Sequence, residues 1–472
     1  MPAQPKPCQH ATIQLEPSAC ATRVGFEPVS AGEVLAAAVA SGENPYSDPN
    51  STQAAAEEFS SFFPAPLILP GDELAYEPDE EGQAFHEWLG MKERNKPTKR
   101  RNVLYVAAAP RVTPEAKHIE AWTEIRCAAG QHDATGETPQ PPQAEDVIGF
   151  LGAFYHGMQV KPFPQRLRFV RWADEIDHND TAKDISYIGL AAKDNCTRIR
   201  ARPCPDGIFE AQLNLEDILD AALAMLPADA YAILLLVDHD LYESEEDDFC
   251  CGRAYGGSRV CVVQTARYHP ALDEHAGIDR AHMWPASHCK AYLDKLCRAE
   301  GIKIPTRKAA ALTARSRKQP SAPGPLRLAI AAAATATTAQ RPKTTTTASD
   351  DDVRRQLQGL WFSRLARTAA HELGHCLGLA HCVYAACLMQ GTASVAEDVR
   401  QPPYLCVVCV SKVGHAVACE LEKKRKPEEV AGYLVERYQT LARVCGRWEE
   451  AGVGMFAGYS AWVRARIANM QR

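Results

Sequence analysis

Residues 371–381, His371-Glu372-Leu373-Gly374-His375-Cys376-Leu377-Gly378-Leu379-Ala380-His381, form an HExxHxxGxxH pattern without a mismatch. Histidines four apart on a helix share one face a single turn apart, so His371 and His375 can reach one tetrahedral zinc. Gly378 ends the helix in a backbone conformation that residues with side chains avoid, and lets the chain turn back so that His381 supplies the third ligand. The fourth position is left for water. Glu372, next to the first ligand, stands beside that water. Zinc lowers the water's pKa toward about 7, so a carboxylate can take its proton as general base and later deliver it to a leaving amine. The chemistry this spacing points to is hydrolysis of a peptide bond. HExxH alone also arises on amphipathic helices whose His and Glu face solvent; the third histidine and the helical segment leading into the motif weigh against that reading.

Cys382 follows His381 directly, Cys387 comes after four intervening residues, and Cys406-Val407-Val408-Cys409 supplies a second close pair. Two such pairs suit a closed structural zinc site, in which four thiolates complete the tetrahedron. Disulfides or ordinary buried thiols are the competing readings. Cys376 and Cys419 have no matching partner pattern and read as packing residues. The expectation is two zinc ions per chain, one catalytic and one structural.

A helix must carry the motif. Asp350-Asp351-Asp352 suits a helix N-terminus, and Val353, Leu357, Leu360, Trp361, Leu365 and Ala369 recur at helical spacing into His371. Upstream, Val103–Ala107 and Arg168–Trp172 read as strands, and Asp146–Met158 and Leu215–Leu226 as helices. Tyr231–Val237 is a continuous apolar run suited to a central strand buried on both faces. A further strand signal falls at Val260–Val263. Downstream, Glu428–Trp448 reads as an amphipathic helix. Asp238-His239-Asp240 is read as the start of a solvated acidic loop, and Cys250, Cys251, His282, His288 and Cys289 are assigned no role.

The whole chain of 472 residues, 46% apolar and 24% charged, has the balance of a soluble globular protein. A net charge of −7 provides no global field for nucleic acid. No apolar run approaches the roughly 20 residues of a membrane span, and no export signal is evident, so an intracellular location, cytoplasmic or nuclear, is expected. Residues 1–98 are expected to form a partly disordered extension, 99–447 the catalytic domain, and 448–472 a tail. Within the domain, residues 304–349 are expected to be a disordered, basic insertion, with Arg307, Lys308, Arg315, Arg317 and Lys318 as its charges.

HELGHCLGLAHC, followed by Cys387-Leu388-Met389-Gln390-Gly391 and then CxxC, resembles the archaemetzincins, a family of metzincin-type zinc metalloproteases. The resemblance runs from about residue 100 to 445 through the strand signals above. It implies an α+β, metzincin-like zincin fold, with a mixed twisted sheet, an active-site helix and a zinc-braced C-terminal part. It places catalytic zinc on His371, His375 and His381, the base on Glu372, a second zinc on Cys382, Cys387, Cys406 and Cys409, and Met389 beneath the histidines. Substrate is expected to lie extended along an edge strand, for which Gly252–Tyr268 is the candidate. The implied partner is a peptide or protein; membranes and nucleic acids are not expected partners. The alternative is a zinc-stabilised binding or scaffold protein of weak or no activity. A pure binding module has no need of Glu372.

Overall fold

The computed structural model describes residues 8–126, 139–172, 186–193, 195–304, 323–339, 350–424 and 426–472. Its strands are β1 (Val103–Ala107), β2 (Arg111–Val112), β3 (Gln159–Pro162), β4 (Leu167–Arg171), β5 (Ser186–Ala192), β6 (Asn195–Pro203), β7 (Ala211–Asn214), β8 (Ala230–Val237), β9 (Asp240–Tyr242), β10 (Gly252–Ala254) and β11 (Val260–Gln264). They form two sheets, one ordered β10-β11-β8-β1-β3 and the other β2-β4-β5-β6-β7-β9. The architecture is α+β.

β8 lies at the middle of the first sheet, parallel to β1 and to β11. Its side chains alternate between faces, yet every one is buried because both faces are covered. Ala232, Leu234 and Leu236 enter the core shared with the helix Asp350–Cys376, while Ile233, Leu235 and Val237 enter a second core shared with the other sheet and the helix Leu215–Ala224. β10 runs antiparallel to β11 and forms one edge.

The helix Asp350–Cys376 is held in place by polar contacts as well as by the buried Phe362, Leu365 and Ala369. Trp361 Nε1 donates to Thr265 O at 2.8 Å, Tyr155 donates its hydroxyl to Ala370 O at 2.5 Å, and Tyr231 donates to Cys376 O at 3.1 Å. Arg364 makes a buried, two-pronged contact to Asp273 at 2.7 and 2.9 Å. A helix held this way along its length presents its last two turns at a fixed depth.

The N-terminal region differs from the partly disordered extension expected for residues 1–98. From residue 8 it is described, carries the helices Ala19–Val24, Ala31–Ala37, Pro49–Phe62, Glu73–Tyr76 and Phe85–Gly90, and buries Phe62, Phe63 and Trp88 in the main core. The separate tail at 448–472 is also corrected. The helix Gly454–Met470 buries Phe456, Tyr459 and Trp462, and Trp462 stacks on Tyr404 with ring centroids 4.2 Å apart. The physical reason is shared: these stretches lack a strong local apolar period, and their partners lie hundreds of residues away. In the expected insertion, Pro325–Ala339 is a helix packed on Gly454–Met470, while Arg307, Lys308, Arg315, Arg317 and Lys318 lie outside the described residues. Among the described residues no helix is long and apolar enough to cross a membrane.

The solvated reading of Asp238-His239-Asp240 is overturned as well. Asp240 is fully buried, where it accepts from Arg267 Nε at 2.9 Å, Gln212 Nε2 at 2.8 Å and Gln264 Nε2 at 3.0 Å, and His239 is buried against Ile119 O at 3.0 Å. The surface character begins only afterwards, at the exposed Glu245 and Glu246.

Candidate metal centre and active-site cleft

His371 and His375 lie in the last two turns of the helix Asp350–Cys376, and Gly378 follows with φ +79°. A Cβ there would be strained by that backbone and would come within 3.1 Å of Arg94 Cγ. The turn brings His381 back toward the helix. The three imidazole ring centroids lie 4.7, 5.6 and 5.1 Å from one another, and one ligand atom from each falls within 4.8 Å of the others.

Hydrogen bonds select which nitrogens converge. His371 Nδ1 contacts Leu388 O and His375 Nδ1 contacts Leu379 O, each at 2.7 Å, consistent with Nδ1–H donating. That leaves both Nε2 atoms as lone-pair donors, and they approach to 3.0 Å. Two imidazole nitrogens bound tetrahedrally to zinc at about 2.0–2.1 Å stand a little over 3 Å apart, so the pair fits one ion. Burial pushes His371 well below the ordinary histidine range and His375 down to about 4, keeping both rings neutral, the form that ligates. At His381 burial works in the same direction, but Glu80, 3.4 Å from Nδ1, outweighs it and the ring's pKa is raised.

Glu372 lies at the floor of a cleft of about 810 Å³ that the three histidines also line. Burial pushes its carboxyl up to about 8, against the pull of His381 and Arg253. The edge strand β10 runs past it: a Cβ on Gly252 would lie 3.3 Å from Glu372 Cγ. The opposite rim includes Glu73 and Glu80, which come from the N-terminal region.

The structure also brings Cys382, Cys387, Cys406 and Cys409 together as a fully buried group with metal-binding spacing. The sulfurs of Cys382 and Cys406 are 3.5 Å apart. Backbone N–H groups of Met389 and Cys406 point at Cys387 Sγ at 3.5 and 3.2 Å. Hydrogen bonds from the other three sulfurs hold the Cys382 thiol well below its ordinary value. Burial pushes Cys387 well above its ordinary value, and the contact with Cys382 does the same to Cys409, so four thiolates together in this dry core would require a cation. Met389 joins the two groups. Its carbonyl accepts from Cys382 N at 2.8 Å, and its sulfur lies where a Cβ on Gly374 would stand, 2.5 Å away, between the two helical histidines.

Residues 348–415, which hold both clusters, match the model of Peptidase family M54. Parts of the chain are similar to archaemetzincins. Archaemetzincin-2 of Rattus norvegicus is 40% identical over 80 residues, covering 17% of this chain and 19% of the rat protein. Archaemetzincin-1 of Mus musculus is 26% identical over 265 residues, 53% of this chain and 41% of the mouse protein. The chain thus spans about a fifth of the archaemetzincin-2 sequences it matches and less than half of archaemetzincin-1. The solved archaemetzincin of Methanopyrus kandleri aligns with 68% of this chain and 98% of its own, at 16% identity and a TM-score of 0.29.

Sequence reasoning missed Glu80, Glu73 and Gly374. Gly374 had a signal, since a glycine between two ligand histidines leaves room for whatever lies beneath them. The two carboxylates had none, because only the tertiary fold brings residues 73 and 80 to His381.

Proposed function

We propose that this chain is a zinc-dependent metallopeptidase, with zinc held by His371, His375 and His381, and Glu372 as the general base. The observation that carries the reading is the convergence of three imidazoles above a buried glutamate on the floor of an open cleft. Zinc, when bound there, supplies the Lewis acidity that brings a water's pKa from 15.7 toward about 7. The chain's own residues do the rest. Leu388 O and Leu379 O fix the tautomers of the two helical histidines, a carbonyl-to-ligand arrangement that orients the donors. Glu372 takes the proton on a carboxylate oxygen and passes it to the departing amine. Burial alone pushes its carboxyl up to about 8, and the positive charge of a zinc bound beside it would favour the ionised carboxylate that a base must be.

Substrate lies extended beside β10, pairing backbone to backbone with the free edge of Gly252–Ala254. Glu73, Glu80, Glu246, Asp247 and Asp248 line the cleft, with Arg253 as a lone opposing charge among the lining residues described, so cationic peptides are favoured. Cys382, Cys387, Cys406 and Cys409 hold a second, structural zinc. Residues 99–447 supply the catalytic core, on a metzincin-like zincin plan, and the N-terminal region completes one wall of the cleft.

The test is elemental analysis together with peptide-library profiling on the wild type and Glu372→Gln. Cleavage that disappears in the variant, with zinc retained, supports the mechanism. Full hydrolysis by zinc-loaded Glu372→Gln overturns it, and zinc binding without turnover in the wild type leaves the binding-protein alternative.

A further inference from the structure

A third group of sulfur and imidazole donors stands outside both clusters. Cys8, His282 and Cys289 each offer one ligand atom, and these three atoms lie within 4.8 Å of one another. The sulfurs of Cys8 and Cys289 are 3.7 Å apart. Two thiolates on one tetrahedral zinc at about 2.3 Å take a separation of about 3.8 Å.

His282 supplies the independent indication. Its Nδ1 is hydrogen-bonded to Asp279 Oδ2 at 2.7 Å, which orients the ring and leaves Nε2 as the remaining donor. Nε2 is buried and has no hydrogen-bond partner, in a residue only 9% exposed. An orphaned ring nitrogen in the interior is destabilising unless something occupies it. The carboxylate-to-histidine contact is the arrangement that steadies an imidazole bound to a metal. Tyr292 stacks on the same ring, with centroids 4.2 Å apart and planes 3° apart, and fixes its position further.

The chain assembles this group by laying its N-terminal segment along residues 281–290. His10 Nε2 meets Ala281 O at 2.9 Å, Gln14 N donates to His288 O at 2.9 Å, and Lys290 N donates to Thr12 O at 2.9 Å. Ile13 and Cys289 form an antiparallel bridge. One donor thus comes from the start of the chain and two from the loop it pairs with.

We propose that Cys8, His282 and Cys289 bind a third zinc ion, which clips the N-terminal segment to the loop before the helix Lys290–Ala299. Two thiolates and one imidazole suit zinc over magnesium or calcium, which take oxygen donors. Cys8 also borders a cavity lined by His10, Met283 and Trp284. The site is independent of the peptidase reading, since it shares no residue with either cluster.

Zinc per chain in the full-length protein, purified in reducing buffer and dialysed, is compared with Cys8→Ser and His282→Asn. Each variant is expected to lose one equivalent relative to wild type, to keep its peptide-hydrolysis rate, and to become more readily cleaved by protease near residues 8–16. In cobalt-substituted protein, part of the thiolate-to-metal absorption disappears in Cys8→Ser. An unchanged zinc content in Cys8→Ser overturns the proposal, and so does a Cys8–Cys289 disulfide found by mass mapping of the reduced-buffer protein. Cys8 lies at the periphery and is half-buried, so its variant reports even if His282→Asn does not fold. Loss of hydrolysis in Glu372→Gln leaves this count unaffected, which separates the two readings.

Discussion

The histidine and cysteine clusters meet at a single peptide bond, between His381 and Cys382, yet their surroundings are opposite. The four cysteines are between 0 and 2% exposed, whereas all three histidines are half-buried and open into the cleft. Each histidine keeps its geometry by binding its second nitrogen to a carbonyl or carboxylate, which leaves one side of the group free. The cysteines have no second donor atom, and their geometry comes from enclosure by the core. An open site is therefore held by hydrogen bonds behind the ligands, and a closed one by burial around them. Damage should follow the same division, with loss of activity at the first cluster and loss of stability at the second.

The largest expected effect is at Glu372. Glu372→Gln should lower kcat/KM by about 10²–10⁴, the usual contribution of a general base, while the denaturant midpoint stays near wild type. A midpoint that falls as far as the activity would break the comparison, because the open cluster would then also be supporting the fold. At the closed cluster, Cys406→Ser removes one sulfur from a group with no access to water. It should release one zinc and destabilise the protein by about 3–5 kcal/mol, the scale for stranding buried charge without its partner. Urea unfolding with zinc analysis checks this. A stable Cys406→Ser protein with unchanged zinc content would remove the structural metal.

The histidine and cysteine spacings were legible because each is local: the first spans 11 residues, and the cysteine pairs sit inside turns and a helix start. β8 was legible for a related reason, since a strand covered on both faces shows as an unbroken apolar run. The second sheet was mostly not. In β6, Arg198, Arg200 and Arg202 alternate with the buried Ile199 and Ala201, so only two apolar residues mark its inner face, and Gly189 interrupts the apolar run of β5. The N-terminal region was least legible. Trp88 is fixed by donating to Leu377 O at 3.0 Å and by Arg94, 3.6 Å above its ring. Those contacts join residues near 90 to the turn at Leu377 and Gly378, and no window of local sequence encodes them.

Gly374 and Met389 test whether the two clusters are mechanically joined. In an unconstrained helix, Gly→Ala stabilises by up to about 1 kcal/mol. Here the new Cβ would stand 2.5 Å from Met389 Sδ, so the sign reverses. Gly374→Ala is expected to cost about 1–3 kcal/mol and to reduce activity as the methionine is driven down. Met389 also contacts Cys382 and Cys387 through its backbone, so the same variant should weaken zinc retention at the cysteines. Adding Met389→Ala should recover part of the loss. A double variant no better than the sum of the two singles would mean that the sulfur contact does not couple the clusters.

The smallest effect concerns the rim of the open site. Glu397 anchors Glu73 in the cleft wall by accepting from its backbone N–H at 2.9 Å, and it also accepts from Ala393 N at 2.8 Å. Burial, aided by the nearby Asp72 charge, nonetheless pushes the Glu397 carboxyl from 4.5 up to about 9. The unfolded chain therefore releases this proton near pH 4.5, while the folded chain keeps it to about pH 9. Between those values the folded state binds more protons, so this group erodes stability as pH rises. Glu397→Gln retains an oxygen to accept both N–H groups and does not ionise. Its stability should match wild type near pH 4 and exceed it by a margin that widens toward pH 8, where retaining the proton costs the wild type. Thermal melts of the two proteins across pH 4–9 measure the gap. A gap that is constant, or that narrows toward alkaline pH, would show that Glu397 is charged in the folded protein and that its two N–H contacts outweigh its burial.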